Sequence, residues 1–155
     1  MRHYFIHIIF LVSALASFTH LSTQEKLFDK YEDTNGVTTI FISKKMLGMI
    51  PKVQAGKREI GPIASKLDYL RVLACEKESL ISTLLNDAKK AYRSGGYEAI
   101  MTMNNDGEKV TIYQRTLKDG KNEFALLTNE KNGLTIINIM GTVTLKDIKD
   151  IAGQH

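Results

Sequence analysis

The side chains that could do chemistry in this chain are few, and their placement excludes more than it offers. Its four histidines are His3, His7, His20 and His155, the first two inside a hydrophobic leader and the others near chain ends, where order is hardest to hold. A body with no interior imidazole cannot run a Ser-His-Asp or Cys-His relay, nor build the usual histidine-rich catalytic zinc site. The single cysteine, Cys75, excludes an intramolecular disulfide and every multi-cysteine metal site. Ala74 and Glu76 beside it supply no cation to activate a thiolate, so Cys75 reads as a buried, inert residue.

Carboxylates are plentiful, and Asp68, inside one expected strand, and Glu98, at the start of another, are the two weighed as candidates. A glycosidase pair must face one another across a substrate, and these two read instead as strand-end or solvent-facing acids. Gly107-Glu108-Lys109 lacks phosphate-loop spacing, and no dinucleotide fingerprint follows a strand. Met101, Met103 and Met140 alternate within strands as core filler. No catalytic residue, metal or cofactor is therefore expected, and the functional reading leans away from an enzyme.

Charge points to contact instead. Between Lys44 and Arg71 seven basic residues face only Glu59 and Asp68, a local excess of +5, while Glu25, Asp29, Glu32 and Asp33 make the start slightly acidic. The binding candidates are Lys52, Lys57, Arg58 and Lys66, in a stretch poor in periodicity that reads as a long loop over residues 51–66. Such a loop suits a protein or an anionic envelope component, or is simply solvated. Nucleic acid is disfavoured because no aromatics interleave with the basic residues. Charge reversal at Lys57 and Arg58 is expected to leave thermal stability nearly unchanged.

Destination is written at the start. Met1-Arg2-His3 precedes an apolar run from Tyr4 to Leu15, and Ala14-Leu15-Ala16 has the small-x-small pattern of a signal-peptidase site. We expect a signal peptide over residues 1–16 and a single domain over 17–155. The run is short for a permanent membrane span, and no lipid-acceptor cysteine lies near the cut. The expected location is periplasmic or secreted, and loss of Arg2 takes the formal net charge from +4 to +3.

The 155 residues, 43% apolar and 25% charged, suit one globular domain that forms a core without staples. Gln24 to Asn35 reads as a short helix around Phe28 and Tyr31, followed by a β-branched strand at Val37–Ile42. Ser43 caps a short helix that Pro51 stops. Leu67–Cys75 is a strand apolar on both faces. Leu80, Ile81, Leu84, Leu85, Ala88 and Tyr92 form one stripe of a helix over 79–94, ended by Gly95-Gly96. Four strands follow at 97–104, 109–116, 123–128 and 134–140, separated by Asn105-Asp106-Gly107, Lys118-Asp119-Gly120 and Lys131-Asn132-Gly133, a meander. Thr144 and Asp147 open a last helix, with Val143 placed to staple against Ile148. The expected fold is α+β: two layers, a mixed and mostly antiparallel sheet of about five or six strands, with helices on one face.

Several of these segments, in this order, resemble a known family. Phe28-Asp29-Lys30-Tyr31, Gly36-Val37-Thr38, Ile42-Ser43-Lys44-Lys45-Met46-Leu47 and Leu70-Arg71-Val72-Leu73 resemble the domain of unknown function four-two-five-two, a group of small exported or lipid-anchored proteins of Bacteroidetes. Asn105-Asp106-Gly107-Glu108-Lys109-Val110, Ile137-Asn138-Ile139-Met140-Gly141 and Leu145-Lys146-Asp147-Ile148 resemble its later part, so that the likeness runs over roughly residues 28–152. The resemblance implies an envelope location and an α+β domain, and it brings no catalytic residue. Many relatives carry a lipid-acceptor cysteine after the leader, which this chain lacks. Three functional readings follow: a non-enzymatic binding or accessory module, a histidine-independent hydrolase using carboxylate or Ser/Lys groups, and, from the association of relatives with sigma-factor genes, an envelope sensing component.

Overall fold

Hydrophobic alternation and tight turns generate most of the architecture. The computed structural model describes residues 22–154; the leader expected at 1–16 lies outside the described residues, as do all four histidines. The elements are α1 (Thr23–Tyr31), β1 (Val37–Ser43), α2 (Lys44–Leu47), β2 (Gln54–Ala55), β3 (Arg58–Glu59), a 3-10 helix (Gly61–Lys66), β4 (Leu67–Cys75), α3 (Glu78–Ser94), β5 (Glu98–Asn105), β6 (Glu108–Thr116), β7 (Asn122–Glu130), β8 (Gly133–Gly141) and α4 (Leu145–Ala152). Six strands form one sheet in the order β1-β4-β8-β7-β6-β5, with every neighbour antiparallel.

The meander over β5 to β8 is as the turn residues predict. Asp106 and Gly107 both take positive φ, 45° and 84°, the combination a two-residue hairpin of matching twist demands. Gly133 has no positive φ and simply begins β8, paired with Glu130. β8 then docks on β4, β1 lies outside β4, and α3 carries the chain from β4 to the far edge at β5. β1 and β5 are therefore the two open edges.

The α+β class and the sheet of about six strands match expectation, but the sheet is wholly antiparallel and is covered on both faces rather than one. β7 is buried from Glu123 to Thr128, and β8 is buried from Ile136 to Ile139. Strands apolar on both sides require cover on both. One face packs Leu73, Leu127, Leu134 and Ile136 against Leu27, Phe28 and Tyr31 of α1 and Leu84, Ala88 and Tyr92 of α3. The other packs Leu70, Val72, Phe124, Leu126, Ile137 and Ile139 against Ile148 and Ile151 of α4, Val143, and the segment carrying Val53, Ala55, Ile60 and Ile63. α4 thus lies on the face opposite α1 and α3, and the fold has three layers.

The stretch expected as a loop over 51–66 is part of that second cover. It folds into the β2–β3 hairpin and the 3-10 helix, with Ile60 fully buried. α4 begins as predicted: the Thr144 hydroxyl accepts from the Asp147 amide, the Asp147 carboxylate accepts from the Thr144 amide, and Val143 is buried in the same cluster as Ile148.

Asp147 also fixes an acid response. Its carboxylate accepts from Lys66 Nζ at 2.8 Å and 2.9 Å, and that bond, with the Thr144 amide, pulls its pKa down from 3.8 to about 2. Glu25, Asp68 and Asp87 are held below their ordinary values too. Each binds a proton less readily folded than unfolded, so its contribution is present above the ordinary carboxylate range and is lost as pH falls through the lowered value. Melting temperature should be flat from neutrality to about pH 5 and then fall toward pH 2. Asp147→Asn should shallow that decline at its lowest end; an unchanged acid profile in the variant would refute the assignment.

Candidate binding groove between the first helix and the edge strand

The four basic binding candidates do not form one patch. Lys52 is exposed ahead of β2. Lys57 pairs with Glu130 at 3.0 Å and Arg58 with Glu108 at 2.8 Å, and both line a polar cleft of about 580 Å³ that also carries Asn132 and Gln154. Lys66 ends the 3-10 helix that closes the strap over 51–66, bonded to Asp147 of α4. Most of the positive charge is thus spent tying the strap to the sheet turns and to α4.

Arg58 changes the expected effect of charge reversal. Its side chain is only 5% exposed, against 73% for Lys57. Lys57→Glu should leave stability within about 0.5 kcal/mol, as for other exposed pairs. Arg58→Glu buries a like charge beside Glu108 and should cost about 3 kcal/mol, measured by urea unfolding of the two single variants. Equal midpoints would contradict this.

The two strand carboxylates are also apart. Asp68 accepts from Lys121 Nζ at 2.6 Å and lies 3.6 Å from Lys44, and the Lys121 bond holds its pKa below the ordinary value. Glu98 is exposed on the β5 edge. β4 and β5 stand four places apart in the sheet, about 19 Å at ordinary strand spacing, so the two do not face a common substrate.

A different site emerges at the opposite edge. β1 reads Val-Thr-Thr-Ile-Phe-Ile-Ser, with neither charge nor proline, the devices that usually blunt an edge strand. Ile40 is 48% exposed and Phe41 60%. Beside it runs α1, started by a reciprocal cap in which Ser22 and Glu25 each bond the other's backbone. Leu27, Phe28 and Tyr31 anchor α1 to the sheet layer. Lys30 turns toward α3, where it and the Tyr31 hydroxyl both donate to Asp87. Glu25, Asp29 and Glu32, spaced i, i+4 and i+7 on the helix, line a groove of about 340 Å³ with Phe28, Thr39, Ile40, Phe41 and Arg71.

Arg71 is the hinge of this arrangement. It stands opposite Phe41 on β1 and opposite Asn138 on β8. Its guanidinium lies 5.4 Å from the Phe41 ring centre and 4.9 Å from that of Tyr69, distances at which cation and ring attract. Nη2 donates to Glu25 Oε1 at 2.8 Å, while Nε is buried without a protein partner. Glu25 is held below its ordinary pKa by the Ser22 amide first and Arg71 second. Burial pushes the Tyr69 phenol up to about 12. The groove therefore combines an apolar floor, an open backbone edge and a carboxylate rim, the equipment of recognition by contact.

The acidic start and the β-branched strand were both readable in the sequence, but their juxtaposition depends on β1 taking an edge position. The family model described as Domain of unknown function (DUF4252) matches residues 31–151. The chain belongs to the DUF4252 family. No curated protein and no solved structure matches it. Within the DUF4252 match lie β1, Arg71 and Glu32, whereas Glu25 and Asp29 precede it. Among the described residues no helix is long and apolar enough to cross a membrane, and no group of three His, Cys, Asp or Glu could hold a metal ion.

Proposed function

We propose that this DUF4252 protein is an exported, non-enzymatic binding module of the cell envelope, working at the groove between α1 and β1. The observation that carries the reading is an uncharged edge strand with Ile40 and Phe41 exposed beside a carboxylate rim. An open strand edge is a template for another chain, and apolar side chains rimmed by charge are the usual composition of a contact site. Export rests on the basic start, apolar run and small-x-small site of residues 1–16.

A photo-crosslinker placed at position 41 of the full chain in living cells tests both parts. The reading expects a discrete adduct in the envelope fraction, and none from the same label at Lys146, exposed on α4 on the opposite face. It also expects the adducted protein to begin at Ser17. Indistinguishable labelling from the two positions, or adducts carrying the intact leader in the cytosol, would overturn it.

A further inference from the structure

Resting on that reading, the two walls of the groove narrow what can occupy it. The first wall is backbone. Glu76 donates to the carbonyl of Gly36 directly opposite. Bonded and non-bonded pairs alternate along an antiparallel ladder, so Thr38, Ile40 and Ile42 turn their peptide groups toward β4, and Val37, Thr39, Phe41 and Ser43 turn theirs outward. The Val37 amide is taken by the carbonyl of Thr34 at 3.0 Å, and Ser43 is the cap of α2. Thr39 and Phe41 are left as the central residues offering amide and carbonyl to an added strand, and both also line the groove with their side chains.

The second wall is charge. Glu25 is committed to Arg71, but among the described residues neither Asp29 nor Glu32 forms an ion pair, and both are exposed. Of the α1 lysines, Lys30 is held by Asp87 on the α3 side, and Lys26 lines the surface beside Lys30 and Asp87 and not the groove. A second copy of this chain is a poor occupant. Pairing β1 with itself about a two-fold axis would extend the sheet with α1 of both copies on one face, setting the two acidic stripes against one another.

We infer that the β1 edge accepts an extended, lysine- or arginine-bearing segment of a partner polypeptide as a seventh strand. Its backbone bonds to Thr39 and Phe41, and a basic side chain lies along the groove with its charge at Asp29 and Glu32. Phe28 and Phe41 cover the aliphatic stem, which long basic side chains bury while keeping the head in solvent. Backbone bonds supply affinity and the carboxylates supply selection, the division of labour of strand addition.

The test is a fluorescence anisotropy titration of the mature protein with labelled synthetic peptides alternating Val or Thr with Lys, with Glu, or with Ser. The Lys peptide should bind, and the Glu peptide should bind at least about tenfold more weakly. The variant D29N/E32Q should lose about tenfold in affinity for the Lys peptide and nothing for the Ser peptide. Methylating the Lys peptide's backbone amides on the edge that meets β1 should abolish binding. Thr39→Pro should do the same from the protein side, since it removes an outward N–H and leaves the ladder to β4 complete; the methylated peptide makes the same point without altering the protein. Equal affinity for Lys and Glu peptides, or undiminished binding of the methylated peptide, would overturn the inference. A concentration-dependent dimer abolished by Phe41→Asp would also overturn it while leaving the contact reading intact. Silence of the edge toward every peptide and toward itself, together with no adduct at position 41, would remove both.

Discussion

Leu84→Asp leaves no folded domain at neutral pH. Leu84 is fully buried at the centre of α3, in the cluster where α3 and α1 meet Leu73, Leu127 and Ile136 of the sheet. Removing its side chain from that packing forfeits about 3 kcal/mol or more, and the aspartate adds an ionised group with no counter-charge among its apolar neighbours. The sum rivals the whole stability of an ordinary domain, about 5–15 kcal/mol. Far-ultraviolet circular dichroism and urea titration should find no cooperative transition, while Leu84→Met retains one. A cooperative transition in Leu84→Asp close to that of the parent would show that α3 is not a principal core element.

The second large effect concerns the carboxylate buried in the sheet. Glu123 of β7 is 1% exposed, and Arg115 of β6 donates to it at 2.7 Å. Asn138 of β8 donates a longer bond of 3.3 Å. Arg115 in turn lies over the Tyr97 ring at 4.8 Å and donates to the carbonyl of Gly95 at the end of α3. Arg115→Leu leaves Glu123 enclosed without its cation, and breaking a buried pair in this way costs about 3–5 kcal/mol. Glu123→Gln should cost less, because Arg115 is 28% exposed and can turn to solvent. The double variant should recover more than half of the Arg115→Leu loss, as a coupled pair must. Additive losses in a urea-unfolding cycle would mean that the two side chains act independently.

Much of this architecture was legible because it rests on local rules. The α3 stripe, the Gly-bearing turns of the meander and the cap of α4 at Thr144 all state their structure within a few residues. The strap over 51–66 was not legible, since two strands of two residues each carry no periodicity, and its burial of Val53, Ala55, Ile60 and Ile63 appears only once the sheet face beneath it exists. For the same reason α4 was expected on the face that α3 covers and lies on the other: Ile148 and Ile151 declare an apolar side, and nothing nearby says which side of the sheet it meets.

The candidate site divides along the same line. The basic residues between Lys44 and Arg71 were conspicuous as a run, yet Lys57, Arg58 and Lys66 find carboxylates distant in sequence, at Glu130, Glu108 and Asp147. Linear charge counting cannot see such neutralisation. The acids of α1 were visible only as a mildly acidic start. What gives them meaning is the position of β1 at the sheet edge and the packing of Phe28 and Tyr31 that turns Glu25, Asp29 and Glu32 to that side, both products of topology.

The proposed binding role requires the β1 edge and the α1 carboxylates to form one working surface. The decisive measurement is amide shift mapping of nitrogen-15-labelled protein over residues 17–155, titrated with the alternating Lys peptide. The largest changes should fall at Thr39, Phe41 and Asp29 to Glu32, with the Lys57–Arg58 cleft undisturbed. Changes centred on that cleft, or none along β1, would contradict it.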